Sequence, residues 1–211
     1  MAGITKYERQ LRSRLDDADQ WPAFSSGTFL DRLEKIASRA MMNGTTEGCV
    51  AAILIYHQLV EEMLRLLIRD AQFLIQLAVF PSHIALHEKR KQVFGQLQQE
   101  LRDLVDFGGK SRFLVKIDQI NSIRIGIVHK LTQRGSLGEL TRETRRANRL
   151  YDNAFGIFDQ AHDDFRVTFH SYLRIFSNCI ERAEVELPDF VYMISEPRPM
   201  NRPFSLPPDR S

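Results

Sequence analysis

The feature that most constrains the fold is a long apolar run from Glu47 to Phe80. No Asp, Glu, Lys or Arg lies between Gly48 and Val60, and charges resume at Glu61. The large apolar side chains of the run recur at the spacing of a helix face. They are Val50, Leu54, Leu59, Met63, Leu66 and Leu67. A helix this apolar at its beginning is typical of the centre of a bundle, so we expect other helices to pack around it.

Helical spacing of apolar residues recurs along most of the chain. Alternation of apolar and polar residues, the pattern of a strand, never continues for more than a few residues, so no sheet is predicted. Cap and turn residues separate the segments. The predicted helices are Tyr7–Ala18, Thr28–Met42, Glu47–Phe80, a short basic helix after Ser82, Val93–Phe107, Arg112–Lys130, Leu137–Asp163, and Phe165–Glu184, the last continuing or restarting the helix before it. The sequence therefore predicts an all-α bundle of about five to seven helices.

The apolar spacing also predicts which side chains these helices bury. In the helix from Thr28 the predicted positions are Phe29, Leu33, Ile36 and Ala40. In the helix from Arg112 they are Phe113, Ile117, Ile120, Ile127 and Val128, and in the helix from Leu137 they are Leu140, Ala147, Leu150, Ala154 and Phe158. Each set lies on one face of its helix.

The composition changes after Glu186. Six prolines follow, at positions 188, 197, 199, 203, 207 and 208. Proline supplies no backbone N–H to a helix, so we predict a single helical-bundle domain over 1–186 and an extended or disordered tail over 187–211. The apolar residues from Phe190 to Met193 are the part of the tail that can dock on the bundle or on a partner.

The segment from Ser111 to Thr132 places a cation and an imidazole in an apolar helix. Arg124 lies one helical step from Ile120 and Val128, and His129 follows five residues after Arg124. A helix turns about 100° per residue, so the two side chains leave a straight helix about 140° apart. They meet at one site only if the helix bends or ends near Gly126, or if a second subunit supplies the other residue of the pair.

This segment, SIRIGIVHK, resembles the Arg-x4-6-His signature of HEPN domains, which are small helical bundles of toxins, defence systems and nucleotide-binding proteins. The resemblance implies a cytoplasmic homodimer acting as a metal-independent endoribonuclease of the toxin–antitoxin type. His129 would transfer protons at the ribose, and Arg124 would hold the scissile phosphate. Family ribonucleases carry a polar residue straight after the arginine. Here that residue is Ile125, and the nearest amide is Asn121, one turn earlier.

That departure leaves a second function open. The chain also resembles the HEPN-like mannitol-operon repressor family, which implies a non-catalytic interaction or regulatory protein with a protein partner. A structural role for Arg124 is open as well, because Glu61 or Glu62 in the long helix can pair with it across the bundle. The same two carboxylates can instead form local helix pairs with Arg65.

A group of arginines follows the motif helix. Arg142, Arg145, Arg146 and Arg149 stand at i, i+3, i+4 and i+7, so they form one stripe along a helix. Such a stripe can bind the phosphates of RNA or an acidic partner. The alternative is a solvated face paired in part with Glu139 and Glu143. The net charge of +2 does not decide between them.

Other chemistry has little support in the sequence. His83 and His87 share a helix face beside Glu88, but the basic residues that follow disfavour a metal ion. Walker, dinucleotide and Cys-x-x-Cys motifs are absent, so we expect no cofactor and no metal. Cys49 and Cys179 lie in apolar surroundings and are expected to be reduced core thiols. The apolar runs are too short to span a membrane, so we expect a soluble, cytoplasmic protein.

Overall fold

A computed structural model describes residues 6–80, 82, 84–86, 92–131 and 136–181. Six α-helices occur in these ranges, with a short 3₁₀ turn at Ala18–Gln20 and no strand among the described residues. The helices are α1 Lys6–Asp16, α2 Gly27–Met42, α3 Thr46–Ala78, α4 Phe94–Leu104, α5 Lys110–Lys130 and α6 Leu137–Glu181. The predicted all-α class is confirmed. The compact unit described below is Met1–Leu173.

The long helix α3 is the centre of the bundle, as its composition predicts. It buries residues around most of its circumference, including Ile53, Val60, Leu64, Leu67 and Ala71. Helices α2, α4 and α5 each pack on α3. None of the helices in the described part of the chain is long and apolar enough to cross a membrane.

Local signals fix where α3 begins. Gly44 ends the preceding turn with a φ of +63°, a conformation that glycine adopts readily. The Thr45 hydroxyl then caps α3 by accepting a hydrogen bond from the Gly48 backbone N–H, at 3.1 Å. A Cβ atom at Gly48 would collide with the carbonyl oxygen of Ala40. A residue without a side chain at this position therefore lets the end of α2 approach α3 closely.

Helices α3 and α6 run parallel and remain in one register. The Sγ of Cys49 lies 3.9 Å from the hydroxyl of Thr141, and the Tyr56 hydroxyl donates to Oδ1 of Asn148. Further along, Nδ1 of His162 lies 2.8 Å from Oδ2 of Asp70. All three pairs have the same sequence offset, 92 residues. The contact positions on each helix are separated by whole heptads, as in helices packed at a small crossing angle.

Several predicted core positions are instead exposed. Phe29 and Ile36 of α2 are exposed, because this helix fully buries only Ala37. Leu54 of α3 and Val128 of α5 are exposed as well. Apolar spacing defines the middle of a helix face but not its edges, and the neighbouring helices decide how wide a stripe is covered. The predictions for Ile117, Ile120 and Ile127 and for Leu140, Ala147, Ala154 and Phe158 are confirmed.

Some predictions fall outside the described residues. These are the tail 187–211, the side chain of Cys179 and most of the predicted helix after Ser82. Residues 84–86 of that segment are described and are not helical. Cys49 is buried and is not in a disulfide. The predicted segments Leu137–Asp163 and Phe165–Glu184 form one continuous helix as far as Glu181.

Candidate functional site

Helix α5 carries the predicted motif and packs one face on α3. Its N-cap is Gly109, with a φ of +83°, and its buried face includes Phe113, Ile117 and Ile120. The helix passes Gly126 without interruption and ends at Lys130. Arg124 and His129 therefore leave the same helix about 140° apart. Within one chain the helix does not end early enough to bring them together.

Arg124 lies beside His57 of α3. The Arg124 side chain is half-buried, and no hydrogen bond or ion pair joins it to any residue in the described part of the chain. His57 is only 4% exposed, and its Nε2–H donates to Oδ1 of Asn121 at 3.2 Å. Asn121 precedes Arg124 by one helical turn, so α5 directs both groups toward the same region of α3.

The protonation of His57 is set by this environment. Burial lowers the pKa of His57, and the positive charge of Arg124 lowers the pKa further, while Glu61 and the Asn121 hydrogen bond act in the opposite direction. The ring also packs on Phe94, with centroids 4.8 Å apart. His57 is therefore neutral at pH 7. A neutral His57 neither repels nor neutralises Arg124.

The two glutamates expected near Arg124 bind another cation. The guanidinium of Arg65 lies 2.7 Å from Glu61 and 3.9 Å from Glu62, and all three residues belong to α3. These are the local i,i+4 and i,i+3 pairs of a helix surface. The two carboxylates that were candidates to pair with Arg124 across the bundle therefore bind Arg65 instead.

His129 lies in the last turn of α5 and is exposed. Ile125, one turn earlier on the same side, is 43% exposed, and Val128 is 51% exposed. Val115 of this helix and Leu131, the residue that follows its last turn, are further exposed apolar residues. The outer face of α5 thus combines an accessible imidazole with apolar side chains that no other element in the described ranges covers.

Three of the four predicted stripe arginines line one open cleft. The cleft has a volume of about 680 Å³ and lies between the turn before α3 and the first turns of α6. Its lining residues are Gly44, Leu137, Gly138, Thr141, Arg142, Arg145 and Arg149. Arg146 belongs to the same stripe but does not line the cleft. The N-terminal end of a helix carries a partial positive charge, so the beginning of α6 adds to the cationic character of the cleft.

Within the described part of the chain, the stripe arginines are available to bind a ligand. All four side chains are exposed, and none forms an ion pair or a side-chain hydrogen bond with a residue that the structure describes. In particular, no ion pair to Glu139 is present. Arginine offers a planar fork of donors that matches phosphate oxygens. The arrangement is therefore suited to an anionic ligand with several phosphates.

One polar pair in the core has no counterpart in the sequence predictions. Asp70 of α3 is completely buried and accepts a hydrogen bond from His162 of α6. The only sequence signal was that Asp70 lies at a heptad position of an otherwise apolar helix face. His83, His87 and Glu88, at which a metal ion was disfavoured, lie outside the described residues.

The described part of the molecule defines a class: an all-α bundle around one central helix, with an arginine-lined cleft at the start of its longest helix. No family model, curated protein or solved structure matches the chain.

Proposed function

We propose that this protein is a HEPN-like RNA-binding protein, and that RNA binds along Arg142, Arg145, Arg146 and Arg149. The observation that carries the proposal is the open cleft of about 680 Å³ lined by three arginines without ion pairs in the described ranges. Cationic side chains that line up along a helix follow the repeating charge of a nucleic-acid backbone. The open shape of the cleft suits a chain that passes through it.

A direct test measures binding of a fluorescent single-stranded RNA at several salt concentrations. Each phosphate contact contributes about 0.7 to the slope of log K against log salt for single strands. The double variant Arg142→Ala/Arg149→Ala should bind more weakly and with a slope smaller by about 1.4. The matched control is Arg9→Ala/Arg32→Ala, which removes the same charge from exposed sites on α1 and α2. Equal losses in both variants would contradict binding at the stripe.

RNA cleavage by Arg124 and His129 is the catalytic form of this proposal. Arg124 has no carboxylate partner within the described chain, so its charge remains available for a phosphate. His129 is exposed, and an imidazole can both accept and donate a proton. Arg124 and His129 point in different directions from α5. The proposed site therefore requires a homodimer, in which Arg124 of one subunit lies next to the second copy of His129. The exposed apolar residues Ile125 and Val128 support α5 as the dimer face.

The cleavage experiment uses a fluorogenic RNA in the presence of EDTA. Arg124→Ala and His129→Ala should each abolish cleavage while leaving RNA binding at the stripe unchanged. Arg9→Ala serves as the control for loss of an exposed cation. If the wild-type dimer binds RNA but never cleaves it, the catalytic form of the proposal is wrong and the binding form stands.

The second candidate is a non-catalytic regulatory protein similar to the mannitol-operon repressor family. Ile125 favours it, because an exposed isoleucine next to Arg124 suits a protein contact better than a polar reaction site. In this case the outer face of α5 binds a regulator or an antitoxin. Substitution of Ile125 by Lys should then abolish complex formation while RNA binding at the stripe remains.

A further inference from the structure

A second, smaller cavity shares no lining residue with the arginine cleft. It has a volume of about 60 Å³ and lies between the beginning of α2, the middle of α3 and α6. The rings of Phe24, Tyr151 and Phe155 and the thioether of Met63 belong to its lining, together with the acidic residues Asp31 and Glu34. The site thus combines aromatic walls with two carboxylates.

The two carboxylates have no neutralising cation among the residues that the structure describes. Neither Asp31 nor Glu34 forms an ion pair or hydrogen bond with any residue in the described ranges. They are one helical turn apart on α2, so their charges lie on the same side of that helix. The two carboxylates line the same cavity as the aromatic rings. Aromatic ring faces also attract cations, so both kinds of group favour a positively charged ligand.

A second observation, at Tyr151, indicates that the cavity suits a polar ligand. The residue is only 3% exposed, and its hydroxyl has no hydrogen-bond partner within the described chain. Burial raises the pKa of Tyr151 well above its ordinary value; the charges of Glu34 and Asp152 raise it further, and Tyr56 and Asp31 have smaller effects in the same direction. The hydroxyl therefore lies within the field of both carboxylates. Its oxygen is free to accept a hydrogen bond from a donor in the cavity.

The rings around the cavity form a continuous cluster. The centroids of Tyr151 and Phe155 are 6.2 Å apart, those of Phe155 and Phe158 are 5.9 Å apart, and those of Phe24 and Phe158 are 5.6 Å apart. Tyr151 is also held by Tyr56, at 5.0 Å. Rings packed in this way lose little conformational freedom when a ligand enters.

We propose that this cavity binds the guanidinium group of an arginine side chain presented by a partner polypeptide. Glu34 and Asp31 neutralise the charge, the Tyr151 hydroxyl accepts an N–H bond, and Phe24 and Phe155 cover the planar faces. The size favours this guest, because about 60 Å³ holds roughly four water molecules at about 15 Å³ each, and a guanidinium group has a similar number of heavy atoms. Binding at this cavity does not depend on RNA binding at the arginine cleft.

The test uses the full chain with isotope-labelled methionine methyl groups. Met63 is 2% exposed and lines the cavity, so its methyl signal reports on occupancy, while the other methionines serve as internal controls. The probe is a short capped glycine peptide with one arginine. The same peptide with citrulline keeps the shape of the side chain but removes the charge. We expect saturable shifts of Met63 with the arginine peptide and none with the citrulline peptide.

Three substitutions test whether the arginine peptide binds in this cavity. Glu34→Gln should weaken binding about tenfold, because it removes a charge-assisted hydrogen bond. Tyr151→Phe keeps the ring and should also weaken binding, and Asp163→Asn, an exposed acidic site on α6 outside the cavity, should not. Equal binding of the arginine and citrulline peptides, or an undiminished affinity in Glu34→Gln, would overturn the proposal. Shifts with spermidine but not with the arginine peptide would overturn the assignment to a polypeptide.

Discussion

His162 of α6 holds one oxygen of the Asp70 carboxylate of α3, and the other oxygen has no partner among the described residues. The Nδ1–H of His162 donates to Oδ2 at 2.8 Å, while Oδ1 is buried and makes no hydrogen bond there. Asp70 has no exposed surface, and the His162 ring stacks on Phe158 with an interplanar angle of 6°. This pair joins the two longest helices through one buried hydrogen bond, which favours a single register between them.

Removal of His162 should destabilise the protein strongly. His162→Leu would leave Asp70 buried with neither oxygen bonded, and stranding one member of a buried pair costs about 3–5 kcal/mol. Urea unfolding followed by circular dichroism measures the loss. The double variant His162→Leu/Asp70→Leu should recover much of it, because it removes the stranded group as well. A double variant no more stable than the single one would contradict this account.

The pH dependence of stability should carry the signature of Asp70. Burial raises the pKa of Asp70, and the hydrogen bond and the charge of His162 lower it only in part. The folded state therefore holds this proton up to a higher pH than the unfolded state does. Stability contributed by Asp70 is present below its ordinary pKa and is lost as the pH rises through the raised pKa. Asp70→Asn should abolish this loss of stability with rising pH, because asparagine has no proton to release in this range.

The quantity to measure is the difference in unfolding free energy between Asp70→Asn and the wild type at each pH. We expect that difference to shift in favour of the variant as the pH rises from about 3 to 7, because only the wild type then carries a buried charge. Asp163→Asn on the exposed side of α6 is the control. A difference that shifts in favour of the wild type over this range would show that the pKa of Asp70 is lowered instead.

Loss of Arg124 should change the pKa of His57 more than it changes stability. Arg124 makes no ion pair in the described structure, so Arg124→Ala should cost less than about 1 kcal/mol. Its charge lowers the pKa of His57, so that pKa should rise in the variant, as measured by NMR titration of the ring. Arg65→Ala, which frees Glu61 and Glu62, should cost more. A loss of 3–5 kcal/mol in Arg124→Ala would instead indicate a buried partner.

The approach of α2 to α3 should depend on Gly48. In Gly48→Ala the new Cβ would collide with the backbone carbonyl of Ala40, which cannot rotate away, so we expect a loss of about 1–3 kcal/mol in thermal or urea unfolding. Gly95 of α4 provides the matched control, since nothing lies within 4 Å of a Cβ added there. Gly95→Ala should raise stability by up to about 1 kcal/mol. Equal effects in both variants would show that the contact is not tight.

The sequence by itself determined the features that depend on neighbouring residues. The apolar run of α3, the Thr45 cap and the left-handed Gly44 each act within a few positions of the chain, so their outcome follows from local chemistry. The stripe of Arg142, Arg145 and Arg149 follows from helical spacing alone. The class of fold and the row of arginines along α6 were predictable for this reason.

Only the tertiary structure decided which groups from different helices meet. Asp70 and His162 are 92 residues apart, and His57 and Asn121 are 64 apart, so no local pattern indicates either pair. Packing also left Arg124 without a carboxylate in the described chain. Contacts of this kind depend on the register and rotation of whole helices, which are set by the combined burial of many side chains. Residue spacing defines the middle of each helix face, but the assembled bundle decides how wide that face is and what it contacts.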